Sequence, residues 1–392
     1  MPLQDHMKLI SVDDHVIEHA TVFTDRLPEG VREHGPRLIT ADRELRGGHI
    51  LGEVVVREGE QTWVYEDRLY PQLALNAVAG LDPKEWAGRE PTRYDQILPG
   101  CYDPAARVAD MDTDGIHAML LFPTFPRFAG TTFLDAHDKS VALLCVQAWN
   151  DYIVEEWSGP YPGRFIPMMI LPLWDVDLCV AEIGRMAARG AKCIAFPENP
   201  YPLGLPSWSS GYWDPLCAAA QEHSLPLCMH FGTSGRVEGP SPDCNPLAVT
   251  VSFGLNSMMT MSDLLFSHVF HQFPDLRVVL SEGGIGWMPW LLERAETVWD
   301  RHRWYADVNK EANPRDLFAR HVFGCFISDD AGISQRHIIG VENIMWECDY
   351  PHADSNWPNA RKQLAEALID VPDQEVHQIV ELNARRVFNF WD

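Results

Sequence analysis

Short apolar runs alternate with amphipathic stretches along most of the chain, the pattern expected when buried strands are each followed by a covering helix. Leu9-Ile10-Ser11-Val12 predicts strand one, ending at Asp13-Asp14-His15. Strand two is expected over 117–122 after a helix over 105–112, and strand three over 165–173 after a helix over 135–157. A helix over 176–188, closed by Gly190, leads to strand four over 193–196, which Pro197-Glu198-Asn199-Pro200 terminates. Strands five to eight are expected over 226–230, 276–280, 325–328 and 343–346. Helices over 213–223, 258–270 and 287–305 separate strands four to seven, and helical sequence over 360–390 closes the chain. Eight strands with intervening helices predict an α/β fold, a (β/α)8 TIM barrel spanning residues 1–392 as one domain; a doubly wound open sheet is the rival arrangement.

Residues 20–100 break the repeat. Val54-Val55-Val56-Arg57 and Thr62-Trp63-Val64-Tyr65 flank Gly59-Glu60, which predicts a β-hairpin within an insertion after strand one. The insertion is long enough to cover the mouth of a barrel, and the Gly-, Ser- and Pro-containing stretch 232–247 predicts a second mouth loop.

Composition narrows the function classes. The 392 residues carry 31 Lys and Arg against 56 Asp and Glu, a formal charge of −25. Such a field repels phosphate backbones and anionic lipid, which argues against nucleic-acid and membrane-surface roles. The nine Cys are scattered without a Cys-x-x-Cys pair, within apolar strings such as Leu144-Cys145-Val146 and Leu227-Cys228-Met229. That usage fits small buried hydrophobes in a reducing cytoplasm. The start, Met-Pro-Leu-Gln-Asp-His-Met-Lys, lacks the pattern of a signal peptide. No apolar run approaches the roughly 18 residues of a membrane span. A cytoplasmic protein is expected.

Asp13 and His15 are two apart at a strand end and therefore share a face. His230 ends strand five and Asp349 ends the eighth strand region. Each alone is equally well read as a polar residue capping a buried strand. Jointly they place two imidazoles and two carboxylates at the C-terminal rim, where a barrel assembles its chemistry, and predict a divalent-metal site.

Ile10-Ser11-Val12-Asp13-Asp14-His15, His230, Phe273-Pro274-Asp275-Leu276, Asp349-Tyr350-Pro351 and Asn383-Ala384 together resemble the amidohydrolase-related branch of the amidohydrolase superfamily. That branch includes aminocarboxymuconate semialdehyde decarboxylase and the resorcylate decarboxylases, and the resemblance covers nearly the whole chain. It implies that Asp13, His15, His230 and Asp349 bind a divalent metal. Two departures stand out. Asp13-x-His15 replaces the branch's usual His-x-His, and Ser281-Glu282-Gly283-Gly284 stands where a catalytic His is typical.

The resemblance also makes Glu198 a candidate bridging ligand, since dinuclear superfamily members supply one from strand four. With Glu198 and Glu282 the set becomes two imidazoles and four carboxylates, more anionic oxygen than one tetrahedral zinc requires. Such donors suit Fe or Mn, and the inventory matches carboxylate-bridged di-iron sites in helix bundles. Members resembling this Asp-Asp-His subgroup include dinuclear monooxygenases. The expected function is therefore a non-haem Fe/Fe or Mn/Fe monooxygenase that hydroxylates an aliphatic carbon of a small organic or acyl substrate with O2, with Asp349 and Glu282 as catalytic residues. The alternative is a mononuclear Zn or Mn decarboxylase or hydrolase in which Asp349 accepts the proton. A non-catalytic metal-binding subunit is the third reading. Glu18 is expected to orient His15 through its other ring nitrogen, and His352 to serve beside the ligands or toward the substrate. A homo- or hetero-oligomer of related chains is expected.

Overall fold

The apolar runs become eight parallel strands that follow one another in space in chain order in the computed structural model, which describes residues 3–49, 52–235, 237, 239–241 and 243–391. Strand one (Leu9–Val16) pairs with strand two (Ile116–Pro123). Strand three comes in two pieces. Phe165–Ile166 pairs with strand two, and Met168–Met169 pairs with strand four (Cys193–Ala195). Pro167 lies between the pieces and has no N–H to give a ladder, so the strand is shorter than the apolar run predicts. Parallel pairing then runs through strand five (Leu227–His230), strand six (Val278–Ser281), strand seven (Val322–Phe326) and strand eight (Ile344–Trp346).

The first and last strands are joined just beyond strand eight. Asp349 donates its N–H to the Asp13 carbonyl at 2.8 Å, and His15 donates to the Tyr350 carbonyl at 2.7 Å. This is the strand order of the expected (β/α)8 architecture, with both faces of each strand buried.

Strand one departs from a regular ladder where it carries chemistry. Its register with strand two passes from Ser11 opposite Met119 to Asp14 opposite Leu121, so one extra residue is accommodated beside Asp13. The strand continues through Asp13, Asp14 and His15 to Val16, all fully buried. Helix starts follow local chemistry: Asp103, Asp138 and Asp175 accept hydrogen bonds from the first turns of helices Pro104–Asp114, Lys139–Tyr152 and Val176–Ala188. A helix absent from the expected pattern, Pro314–His321, precedes strand seven and moves that strand towards the N-terminus of its apolar run.

The insertion holds hairpins, but not the expected one. Gln61–Tyr65 pairs with Arg37–Thr40 and Arg68–Tyr70, whereas Gly52–Val56 pairs with Leu45–His49. Gly59 donates to the Ala41 carbonyl and Ala41 to that of Glu60, both at 2.8 Å. These bonds draw the turn onto the earlier strand, so the two Val- and Trp-bearing runs never pair. Trp63 and Tyr70 rest against Phe125 with ring centroids 4.8 and 5.5 Å away, fastening the insertion to the loop after strand two. Among the described residues no helix is long and apolar enough to cross a membrane. All nine cysteines are free, and all but Cys244 are buried.

Candidate metal centre

Barrel geometry brings Asp13 and His15 to the same point as His230, Glu282, Asp349 and His352. Asp13, His15, His230 and Glu282 form one group whose ligand atoms all lie within 4.8 Å of one another. His15, Glu282, Asp349 and His352 form a second by the same measure. His15 Nε2 stands 3.5 Å from Asp13 Oδ1 and 3.2 Å from Asp349 Oδ1. His230 Nε2 stands 3.6 Å from Asp13 Oδ2 and 2.9 Å from Glu282 Oε2. His352 Nδ1 is 2.8 Å from Asp349 Oδ1, and its ring stacks on His15 at 3.6 Å between centroids.

Proximity here is not mutual satisfaction. Both carboxylate oxygens of Asp13 and of Asp349, both ring nitrogens of His15, His230 Nε2 and Glu282 Oε2 are buried without a hydrogen-bond partner. Buried polar atoms rarely remain unpaired, and a divalent cation is the partner this donor set fits. His230 is prepared for that role. Its Nδ1 lies 2.8 Å from the Phe231 carbonyl, which can only accept, so the proton sits there and the Nε2 lone pair faces the group. Glu282 and Asp349 follow strands six and eight with left-handed backbones, φ 53° and 58°. Non-glycine residues adopt that region at a cost of about 1–3 kcal/mol, and such strain gathers at functional sites.

The electrostatics agree. Burial first, then the neighbouring carboxylates Glu347, Asp349, Glu282 and Asp14, holds Asp13 well above the usual carboxylate range. Asp349 is raised by burial and by Glu282, Asp354 and Asp14. His15 is held well below the ordinary histidine value by burial and by His352 and His230. A bound cation reverses the tendency of the two carboxylates, favouring their ionised form, and reinforces that of His15, whose neutral imidazole is the ligating form. Asp14 is pushed to about 8 by burial, against the lowering effect of Ser11 and Arg107. Arg107 is itself fully buried, donating to the Gly100 and His15 carbonyls at 2.6 Å each and lying 4.2 Å from the centroid of the Tyr350 ring.

Two expected residues lie elsewhere. Glu198 is buried, but its Oε2 accepts from Gly232 N–H at 3.0 Å and Asn256 Nδ2 at 3.2 Å, and its Oε1 from Ser257 Oγ at 3.3 Å. It belongs to neither ligand group, and its carboxyl ties the loop after strand five to the helix Gly254–Phe266. Glu18 accepts from Thr124 N–H, Phe125 N–H and Trp149 Nε1 at 3.1, 2.8 and 2.9 Å. It fixes the loop after strand two and does not orient His15, whose Nδ1 has no hydrogen-bond partner. Sequence reasoning missed Glu347, whose Oε2 accepts from the Glu282 N–H at 3.2 Å. Its place two residues before Asp349 was the available signal.

A cavity of about 310 Å³ opens beside the centre, between the insertion (Pro71, Gln72, Asn76), the loop after strand two (Thr124, Arg127, Phe128, Thr131) and the loop after strand five (Phe231, Gly232, Thr233, Val237). Phe128 connects cavity and centre, its ring 4.7 Å from His15 and 4.2 Å from His230. A second cavity of about 270 Å³ on the other flank touches Glu282, Glu347 and Asp354.

Residues 94–390 match the family model described as amidohydrolase. The chain belongs to that family, in the branch of the aminocarboxymuconate semialdehyde and resorcylate decarboxylases. It is 26% identical over 276 residues to 2-keto-4-carboxy-3-hexenedioate hydratase of Sphingobium sp., covering 64% of this chain and 73% of the relative. It is 24% identical over 304 residues to gamma-resorcylate decarboxylase of Rhizobium sp., covering 72% and 86%. An amidohydrolase from Mycobacterium avium subsp. paratuberculosis superposes with a TM-score of 0.75 at 22% identity, over 98% of this chain and 100% of the other. The 5-carboxyvanillate decarboxylase of Novosphingobium aromaticivorans, solved with bound manganese, superposes with a TM-score of 0.66 at 19% identity, over 98% and 97%. These relatives overturn the expected O2-dependent monooxygenase: they are decarboxylases and a hydratase, and they favour the alternative reading. The count of carboxylates that suggested oxygen chemistry included Glu198, which the protein uses for other bonds.

Proposed function

We propose that this amidohydrolase-family chain binds one divalent ion and acts as a lyase on a small organic acid, releasing a carboxylate as CO2. The observation that carries the reading is the group of buried, partnerless donor atoms on Asp13, His15, His230, Glu282 and Asp349. We take one ion, because the two groups share His15 and Glu282 and Glu198 is committed to other bonds. Two imidazoles with hard carboxylate oxygens accommodate manganese or zinc, and manganese is the ion bound by the carboxyvanillate decarboxylase. The finer Fe/Fe or Mn/Fe assignment, and O2 as a partner, find no support among the relatives.

When bound, the ion polarises the substrate oxygens and steadies charge as the bond to the departing carboxylate breaks. The chain's own residues supply the rest. Phe128 covers the imidazoles on the cavity side and excludes water there. The electron pair left on carbon takes a proton from the Asp349–His352 pair, whose Oδ1 and Nδ1 stand 2.8 Å apart; this pair takes the part of the strand-six histidine in whose place Glu282 stands. Glu282 adds a negative ligand, lowering the net charge of the loaded centre. Water addition to a carbon–carbon double bond uses the same parts, and the hydratase relative supports it as the second reading.

The test is manganese-loaded protein offered 2,6-dihydroxybenzoate, 5-carboxyvanillate and an unsaturated tricarboxylate, with metal content, CO2 and product mass read together. One ion per chain and CO2 release support the decarboxylase. A product heavier by one water selects hydration. Absence of bound metal overturns both. Leu247, Val251, Leu255 and Met259 are exposed at four-residue spacing beside the mouth loop, which supports self-association of this chain; sedimentation tests it.

A further inference from the structure

Among the described residues Arg127 is the one charged residue lining the cavity beside the metal centre. The chain as a whole carries a formal charge of −25, and the cavity on the opposite flank of the centre is lined by three carboxylates. Approach to the centre is thus electrostatically divided, one side acidic and the other cationic. Among the described residues the Arg127 side chain is half-buried and makes no hydrogen bond or ion pair with the protein, Asp135 acting on its charge only at longer range. Its backbone is left-handed, φ 59°, held by Arg127 N–H to the Thr124 carbonyl at 3.0 Å and Gly130 N–H to the Arg127 carbonyl at 2.8 Å. Glycine adopts that turn more readily, so an arginine there bears backbone strain of the kind that gathers at functional sites. A guanidinium is a rigid, permanently charged fork matched to a carboxylate, and one that no described residue pairs in a cavity is set to pair with a ligand.

We propose that Arg127 is a specificity-determining residue that holds a second carboxylate of the substrate, distal to the group that meets the metal. The substrates of this site are therefore dicarboxylates, or larger polyacids, with an unsaturated or aromatic body against Phe128 and Phe231. This inference rests on the lyase reading for where the substrate's first carboxylate lies.

The test measures binding of benzoate, isophthalate and terephthalate to manganese-loaded full-length protein by calorimetry, for the wild type, Arg127→Met and Arg127→Lys. The two diacids sample different spacings of the second carboxylate. The expected result is a preference of about tenfold to a hundredfold for one diacid over benzoate, the range of a single charge-assisted pair. Arg127→Met abolishes the preference and leaves benzoate affinity and manganese content unchanged. Arg127→Lys keeps part of the preference and shows that the turn tolerates substitution. A wild type without diacid preference, or a preference that survives Arg127→Met, overturns the proposal. Manganese content is read on the same samples, so a failed metal reading is seen separately: its signature is protein without the ion, whatever the diacid ratio.

Discussion

Glu198→Gln separates a buried structural carboxyl from a metal ligand. Burial pushes Glu198 from its ordinary 4.5 to about 8, against the lowering effect of bonds from Asn256, Gly232 and Ser257. Near neutral pH the side chain therefore holds a proton, and a glutamine reproduces its shape and most of its bonding. Removing the group altogether is different. Glu198→Ala leaves three buried donors unmet, at roughly 1–3 kcal/mol each when nothing replaces the acceptor. A total near 3–9 kcal/mol corresponds to a Tm loss of about 4–11 °C, given an unfolding entropy of about 2.1 cal/mol/K per residue.

The sign of the pH effect follows from the direction of the shift. The folded state binds the proton more tightly than the unfolded chain, so the contribution to stability is complete below 4.5 and is lost as pH rises through about 8. The slope within that window is at most about 1.4 kcal/mol per pH unit. Glutamine has no proton to lose. Thermal melts of the metal-loaded proteins at pH 5 and pH 8.5 should place Glu198→Gln close to wild type at the lower pH and above it at the higher. Metal content should be unchanged. A variant that loses its ion, or whose pH profile runs parallel to that of the wild type, refutes the reasoning and returns Glu198 to the metal centre.

Asp13→Asn or His230→Gln should lose the ion, measured by elemental analysis, with the fold retained by circular dichroism. Chelation of the wild type should lower its stability; at an ion concentration 100 times Kd the stabilisation withdrawn is about 2.7 kcal/mol. His352→Asn should keep its metal and lose about 10²-fold or more in kcat, the usual range for a positioned proton donor, and wild-type turnover in that variant would exclude His352 from the chemistry. Arg107→Met leaves the buried Gly100 and His15 carbonyls without their donor and should cost about 2–6 kcal/mol, at roughly 1–3 kcal/mol each, read from a denaturation midpoint.

Much of the fold was legible because burial on both faces gives continuous apolar strands, and polar residues that end them must sit at a rim. Asp13, His15, His230 and Asp349 were singled out that way, and the structure gathers them at one point. Glu198, Glu18 and Glu282 look alike in sequence, each a carboxylate just beyond a strand. What separates them is distant in the chain: Glu18 meets Trp149, 131 positions away, and Glu198 meets Ser257, 59 positions away, while no side-chain bond claims Glu282 Oε2. Local pattern carries no trace of those donors. The insertion failed for a related reason, since Gly59 and Ala41 decide its pairing across the turn. The helix Pro314–His321, by contrast, was signalled. Asn313 caps it and Pro314 opens it, a start pattern readable without structure.

The bonds between Asp349 and Asp13, and between His15 and Tyr350, lie where the beginning of the chain meets its end. Ligands come from both sides of that junction, so no N-terminal fragment can assemble the ion site. During synthesis Asp13 and His15 emerge early and wait for a partner more than 300 positions downstream. A chain cut between strand one and Asp349 therefore forfeits ring closure and the candidate donor set in the same event.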